Sequence, residues 1–462
     1  ADLHDASKAY ICLDNHKEGD YRSMLYKTSD GGKSWKSITK GLPDSTLCWR
    51  IVQDHVDPDL LFLGTEFGIY FSKDQGGEWL QLKGGLPTIS FRDLAIQKRE
   101  NDLVAASFGR SIYILDDYSA LRGVGKSELE AEAALLPMRD VRLYEPRLGF
   151  PYNKKGTMGT ARYVADNPEY GAVFTYYLKE GFKSKKDIRL EKEKAQNKAK
   201  SDVLFPGYEA LEEERKEKAP SVWLNVMDES GRVLRRIEAP AGKGIHRISW
   251  DLRTVSMQPV KEGEKGKAAR PSGNRIGPGT YTVQLWKMKD GQMTSLAGPM
   301  NFEVKSMRES SISAAPLSER LAFEKKAEVA MAEMRLESRR FNEAKKKVAT
   351  LREVILRSGN GDIANAMSSV DGLEKALEAL SVQLNGEPSI STIGEKTDPG
   401  VYTRLWSART GSNSGYGPTG TAKESLRLGV AETKTIRATL DKIDLDIVAL
   451  EQAIANWIKP GY

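Results

Sequence analysis

Three arginines near the start of the chain each end or begin a short apolar segment beside an aromatic residue or a glycine: Trp49-Arg50, Phe91-Arg92 and Gly109-Arg110. Guanidinium groups brought together grip a carboxylate-bearing substrate. Glu66 and Asp54 would add carboxylates, and carboxylates placed around a glycosidic bond can cleave it. Trp49, Phe67 and Phe91 flank the same arginines, and aromatic plus arginine is the composition of a protein or carbohydrate contact patch. The residues also suit plain architecture, as loop charges, ion pairs between sheets and core aromatics. Sequence gives no separation between any two carboxylates, so no catalytic residue is assigned.

Other chemistries find little support. The four histidines (His4, His16, His55, His246) are scattered without metal-ligand spacing. Asp57-Pro58-Asp59 and Asp14-Asn15 lack the spacing of a calcium loop. Gly31-Gly32-Lys33-Ser34 has no upstream glycine of a phosphate loop, and no nucleophile elbow occurs. No metal or cofactor is expected. A net charge of +6, from 70 basic and 64 acidic residues, is spread through helices and one insertion without a basic-aromatic face. This speaks against a nucleic-acid partner. No run of 18 apolar residues is present, so no membrane span is expected. Cys12 and Cys48 are too few for a disulfide framework; buried free thiols and a single disulfide both stay open.

The elements that must position these residues repeat. Thr28-Ser29-Asp30-Gly31-Gly32-Lys33-Ser34-Trp35 and Ser72-Lys73-Asp74-Gln75-Gly76-Gly77-Glu78-Trp79 share the pattern Ser/Thr-x-Asp-x-Gly-x-x-Trp, 44 residues apart, as do Gly41-Leu42-Pro43 and Gly85-Leu86-Pro87. A period of this length with about four strands is the mark of a β-propeller blade. In each box the aspartate can accept backbone N–H bonds that close a hairpin turn. Gly32 and Gly76 permit positive φ, and Trp35 and Trp79 can pack between neighbouring sheets. Residues 1–122 therefore read as the C-terminal blades of a propeller, about two and a half of them. Open blades leave apolar faces and strand edges uncovered, so the remaining blades are expected from an upstream fragment or a separate polypeptide.

Residues 123–169 read as a linker. Residues 170–305 alternate as short strands with turn signals, which predicts an immunoglobulin-like β-sandwich. The Lys/Glu-rich stretch 181–220 interrupts it as a helix-prone excursion or loop. Residues 306–462 read as an antiparallel helical bundle. Ala327, Met334, Phe341, Val348 and Ile355 recur every seven residues, Gly359-Asn360-Gly361 stops that helix, and Ile436 to Trp457 carry a continuous 3-4 stripe. Tyr402 to Gly420, rich in Gly, Ser and Thr, reads as a loop.

The string Leu61 to Trp79, the segment Gly109 to Asp117, Gly231, the strings Trp250-Asp251-Leu252-Arg253 and Pro278-Gly279-Thr280-Tyr281, and Pro418-Thr419 before the last helix together resemble the C-terminal half of a sortilin-like Asp-box repeat family of bacterial exported proteins. The resemblance runs through nearly the whole chain in order. It implies an exported protein of the periplasm, cell surface or exterior, often labelled a glycosyl hydrolase in that family. Two functions follow as expectations. One is a non-catalytic binding or scaffold protein whose propeller recognises protein, peptide or glycan within a surface assembly. The alternative is a sialidase- or xyloglucanase-like hydrolase completed by blades absent from this chain.

Overall fold

A computed structural model describes residues 1–144, 164–260, 263–264, 266, 271–307, 313–358, 361–411 and 416–458. The chain is multidomain, β-rich at first and helical towards its C-terminus. It divides into two compact units: Ala1–Asp251 with Pro278–Met307, and Leu252–Gly277 with Arg308–Tyr462.

The first unit opens with three antiparallel meanders. Strands β1 (Ala9–Asn15), β2 (Asp20–Thr28) and β3 (Lys36–Ser37) form one sheet. Strands β4 (Cys48–Gln53), β5 (Leu61–Thr65), β6 (Gly68–Ser72) and β7 (Leu80–Gln81) form the second, and β8 (Phe91–Gln97), β9 (Asp102–Ser107) and β10 (Ile112–Leu115) the third. The 44-residue spacing is structural, since β3 and β7 occupy equivalent places. The sheets stack in order, β1 against β4 and β4 against β8. Every residue of β5 and β6 is buried, because the middle sheet is covered on both faces. Leu25, Ile38, Leu61, Leu63, Tyr70 and Trp79 fill the layer towards the first sheet. Leu60, Phe62, Ile69, Phe71, Phe91 and Leu94 fill the layer towards the third. The outer sheets keep apolar side chains in solvent: Ile11 and Leu13 on one, Ile112 and Ile114 on the other.

Both boxes close their turns by the same bonds. The Thr28 hydroxyl donates to Asp30 (2.8 Å) and accepts from the Gly32 N–H (3.0 Å), while Asp30 accepts from the Ser34 N–H (2.9 Å). In the second copy Ser72 donates to Asp74 (2.7 Å) and accepts from Gly76 (2.8 Å), and Asp74 accepts from Glu78 (2.9 Å). Gly32 and Gly76 both have φ of 89°. The tryptophans differ. Trp79 is 2% exposed, and its indole N–H donates to the Ile38 carbonyl at 2.7 Å. Trp35, expected to pack the same way, is 44% exposed. The difference has a simple cause: Trp79 docks on the preceding sheet, and among the described residues no sheet precedes the one that carries Trp35.

Two further sheets lie face to face in this unit. One is β11 (Ala133–Leu136), β13 (Ala172–Leu178) and β16 (Gly244–Trp250). The other is the five-stranded order β12 (Val141–Leu143), β20 (Gln292–Ser306), β19 (Gly279–Lys289), β14 (Ser221–Met227) and β15 (Val233–Ala239), with β12 parallel to β20. Phe174 and Trp250 of the first sheet meet Phe302 of the second at ring-centroid distances of 5.4 and 6.3 Å. Strands β11 and β12 fall inside the stretch expected as a linker. Their apolar residues are too few to show a period in sequence, but pairing with β13 and β20 buries Ala133, Leu136 and Val141. Residues 145–163 of that stretch lie outside the described residues. The charged stretch between β13 and β14 holds two helices, Lys185–Lys198 and Tyr208–Lys216, neither with a buried residue.

In the second unit, strands Arg253–Val255 and Ser272–Arg275 pair as a hairpin. These residues, expected within the sandwich, group with the helices instead. Helices Leu317–Arg357, Ile363–Asn385, Val401–Gly411 and Gly420–Ile458 share one core. Every residue of the predicted seven-residue series is buried. Helix Val401–Gly411 corrects the expected loop: Val401, Leu405 and Ala408 make a 4-3 stripe, hidden by neighbouring Gly, Ser and Thr, that packs into the core. Gly359 and Asn360 of the proposed helix stop lie outside the described residues, as do residues 412–415 of the loop.

Candidate functional site

Antiparallel meanders bring their hairpin turns and strand starts to common ends. At one such end the β1–β2 turn, the loop before β4, the start of β4, the β5–β6 turn and the start of β8 enclose a cleft of about 470 Å³. His16, Tyr21, Ser45, Leu47, Trp49, Glu66, Phe67 and Arg92 line it. Four residues singled out in sequence thus meet: Trp49, Glu66, Phe67 and Arg92.

Their geometry is tightly determined. The Arg92 guanidinium lies over the Trp49 ring, 3.5 Å from its centroid, and 5.2 Å from the Phe108 ring. A planar cation on an indole face is held by the ring quadrupole and still directs its N–H edge outward. Glu66 accepts from the Trp49 indole N–H and from the Ser90 hydroxyl, both at 2.9 Å, and stands 3.7 Å from Arg92. Arg92 Nε donates to the same Ser90 hydroxyl at 3.0 Å. Trp49 also meets the edge of His16 at 5.8 Å. His16 bonds to Asp14, and its backbone and ring hydrogen bonds hold the Asp14 carboxyl below the usual range. The lining thus offers flat π faces, one stacked cation and one carboxylate whose Oε2 already accepts two bonds.

The other expected residues go elsewhere. Arg50 follows an irregularity at Trp49 in the β4–β5 pairing, does not line the cleft, and pairs with Asp93 at 3.2 Å. Phe91 is fully buried between the second and third sheets. Arg110 is exposed in the β9–β10 turn, beside exposed Phe108, and does not line the cleft. Asp54 is not a cleft carboxylate: its side chain is fully buried and takes Arg122 at 2.7 and 2.9 Å. His16, Tyr21, Ser45 and Leu47 were not singled out for the cleft in the sequence. They sit on turns whose place above the sheets is set by stacking, and no spacing rule marks them. Among the described residues no three His, Cys, Asp or Glu side chains gather as a metal site. Cys12 and Cys48 are both free. No helix among the described residues is long and apolar enough to cross a membrane.

No family model matches the chain, and no curated protein matches it. Solved structures with detectable likeness include the extracellular domain of the putative one component system BT4673 from B. thetaiotaomicron, at 12% identity over 61% of this chain, with a TM-score of 0.17. The extracellular domain described as the putative hybrid two component system BT4673 of the same organism matches at 11% identity over 65%, with a TM-score of 0.15. The chain spans 28% and 30% of those two chains, and at these scores the molecules do not superpose as wholes.

Proposed function

We propose that the chain is a non-catalytic binding or scaffold protein acting outside the cytoplasm, and that the cleft built from Trp49, Glu66, Phe67 and Arg92 recognises a protein, peptide or glycan. In this reading the three meanders are blades of an Asp-box propeller, and the two facing sheets are an immunoglobulin-like sandwich. The helices form an antiparallel bundle. The blades take residues 1–122, the sandwich takes strands β11 and β12 with 170–251 and 278–307, and the helical unit takes 252–277 with 308–462. The exported location rests on the sequence resemblance.

The observation that carries the binding reading is Arg92 stacked on Trp49 beside Glu66. The lining holds one carboxylate, and that carboxylate serves as an acceptor for Trp49 and Ser90. Hydrolysis of a glycoside by the usual route calls for two carboxyl groups across the bond. Stacked arginine and exposed aromatic faces instead suit recognition. Support for a partner that continues the blade array comes from the exposed outer faces, Ile11, Leu13 and Trp35 on one side and Ile112 and Ile114 on the other.

The test uses the whole chain on a glycan array and a peptide library, with a chromogenic glycoside panel alongside. Trp49→Ala and Arg92→Ala are expected to lower binding of any captured ligand at least about tenfold. Turnover of a glycoside that disappears in Glu66→Gln would overturn the non-catalytic reading. Capture unaffected by both alanine variants would move recognition away from the cleft. Native mass spectrometry of the purified particle tests the partner: a second polypeptide is expected, and a lone stable chain counts against it.

A further inference from the structure

The three meanders end differently. Strand β3 pairs antiparallel with the outer edge of β2, and β7 with that of β6, whereas among the described residues no strand pairs with the outer edge of β10. Matching the β9–β10 hairpin to β5–β6 sets Ile112, Tyr113 and Ile114 at the positions of Ile69, Tyr70 and Phe71. The two covered edges share one bond. The Ile38 N–H donates to the Leu25 carbonyl at 3.0 Å, and the Leu82 N–H to the Ile69 carbonyl at 2.9 Å. Ile112 holds the corresponding carbonyl on β10. Asp117 stands where a box aspartate would, but it accepts from Ser119 and opens the short helix Tyr118–Gly123, so the chain leaves the sheet instead of returning along β10. An uncovered strand edge is a template for a further strand.

The repeat also says what that strand carries. Trp79, just before β7, rests on the turn that follows β3. Its indole N–H donates to the Ile38 carbonyl at 2.7 Å and its backbone N–H to the Lys40 carbonyl at 3.0 Å. This close approach requires Gly41, with φ of 91°: a Cβ there would meet the Trp79 carbonyl oxygen at 2.5 Å. The same turn recurs after β7 as Leu82-Lys83-Gly84-Gly85-Leu86-Pro87. Gly85 has φ of 96°, yet a Cβ there would meet nothing within 4 Å. Among the described residues the carbonyls of Leu82 and Gly84, which match those of Ile38 and Lys40, accept no hydrogen bond. A tryptophan seat thus lies next to the uncovered edge, as the seat of Trp79 lies next to the edge of β6. We infer that the partner contributes one extended segment of the form Trp-x-x-aliphatic here. Its tryptophan rests on the Leu82–Gly85 turn, the next two residues pair antiparallel with Ile114 and Tyr113, and the aliphatic residue donates its N–H to the Ile112 carbonyl. The last position is aliphatic because Ile38 and Leu82 both pack into the layers between sheets. The inference rests on the reading that another polypeptide continues the sheet array, and it specifies which strand that polypeptide supplies.

The probe is a fluorescein-labelled peptide that copies Gly76–Leu86, titrated with the full chain and followed by anisotropy. Saturable binding with a Kd at or below about 1 mM is expected. Within the peptide, Trp79→Ala should weaken binding at least about tenfold. N-methylation of the Leu82 amide should weaken it at least about fivefold. N-methylation of the Gln81 amide, which alternation turns away from β10, should change it less than about twofold. On the chain, Ile114→Pro removes an outward N–H and leaves the β9 ladder intact. It should weaken binding at least about tenfold, which separates docking on β10 from exchange with β7. Far-UV circular dichroism of that variant should match the unaltered chain, and the peptide variants test the same contacts on an unaltered chain. No saturable binding, equal binding of the Trp79→Ala peptide, or binding undiminished by both backbone changes each overturns the inference. So does a concentration-dependent dimer of the chain that Ile114→Pro dissociates, which would give the edge to a second copy. Native mass spectrometry asks separately whether a partner travels with the chain, so absence of the partner and a wrong seat for its strand are told apart.

Discussion

Removing the Asp54 carboxylate should loosen the segment that follows β10 far more than its size suggests. Asp54 is fully buried and takes two hydrogen bonds from Arg122, at 2.7 and 2.9 Å, one from the Tyr118 hydroxyl at 2.5 Å, and the backbone N–H of Asp57 at 2.8 Å. Arg122 also reaches Asn101 at 2.7 Å, so one guanidinium ties the segment to two sheets. Asp54→Ala leaves a mostly buried cation with one strong acceptor. Breaking a buried pair from one side costs about 3–5 kcal/mol, and the partial exposure of Arg122 places this case near the low end. At about 1.4 kcal/mol per decade, 3 kcal/mol is a roughly hundredfold rise in local opening.

Hydrogen exchange by mass spectrometry is the right assay, since a multidomain chain has no single unfolding free energy. Amides of β4 and of residues 118–124 should exchange about a hundredfold faster in the variant, while those of helix Leu317–Arg357 stay unchanged. Substituting both partners, Asp54→Leu with Arg122→Met, should recover much of the protection. The pair also sets an acid sensitivity. Burial alone would raise the Asp54 carboxyl, but hydrogen bonds from Arg122 and Tyr118 outweigh it and hold the group at about 2, below the usual 3.8. A lowered folded value means the stabilisation is whole above pH 3.8 and is lost as pH falls towards 2. Less than a threefold change in exchange at neutral pH, or an unaltered acid response in Asp54→Ala, refutes this account.

Three further outcomes are expected. Trp79→Ala should destabilise the stacked sheets by about 3–5 kcal/mol, read by exchange of β5 and β6, whereas Trp35→Ala in the isolated chain should stay within about 0.5 kcal/mol. Burial pushes the thiols of Cys12 and Cys48 up to about 12, so iodoacetamide at about pH 8 should leave both unmodified in the folded chain and label both after guanidinium unfolding. Glu337, almost fully buried, accepts from Arg437 at 2.6 Å and Arg340 at 2.9 Å. Glu337→Ala should therefore cost the helical unit about 2–3 kcal/mol, measured as faster exchange along Gly420–Ile458.

What could be read from the chain beforehand was whatever depends on neighbours in sequence. Thr28 to Trp35 and Ser72 to Trp79 close their turns with bonds spanning at most four residues, so the pattern predicted both the hydrogen bonds and the glycine conformations. The stripe from Ala327 to Ile355 followed from helical period alone. The cleft was half legible. Trp49, Glu66, Phe67 and Arg92 attract notice as arginine, acid and aromatics at strand ends, but so do Arg50, Phe91 and Arg110, which have other fates. Composition cannot tell a residue that faces a cleft from one that faces the opposite side of the same strand.

Local periodicity and turn chemistry therefore determined the meander repeat, the boxes and the long helices. The stacking of sheets decided the rest. It buried Trp79 and left Trp35 in solvent, although the two have the same local motif. It drew Asp54 into an ion pair with a residue 68 positions away, and it set His16 and Tyr21 beside Trp49 and Arg92. Pairing likewise turned Ala133–Leu136 and Val141–Leu143 into strands. A short apolar run carries no period of its own, and only a partner edge satisfies its backbone groups and covers its side chains.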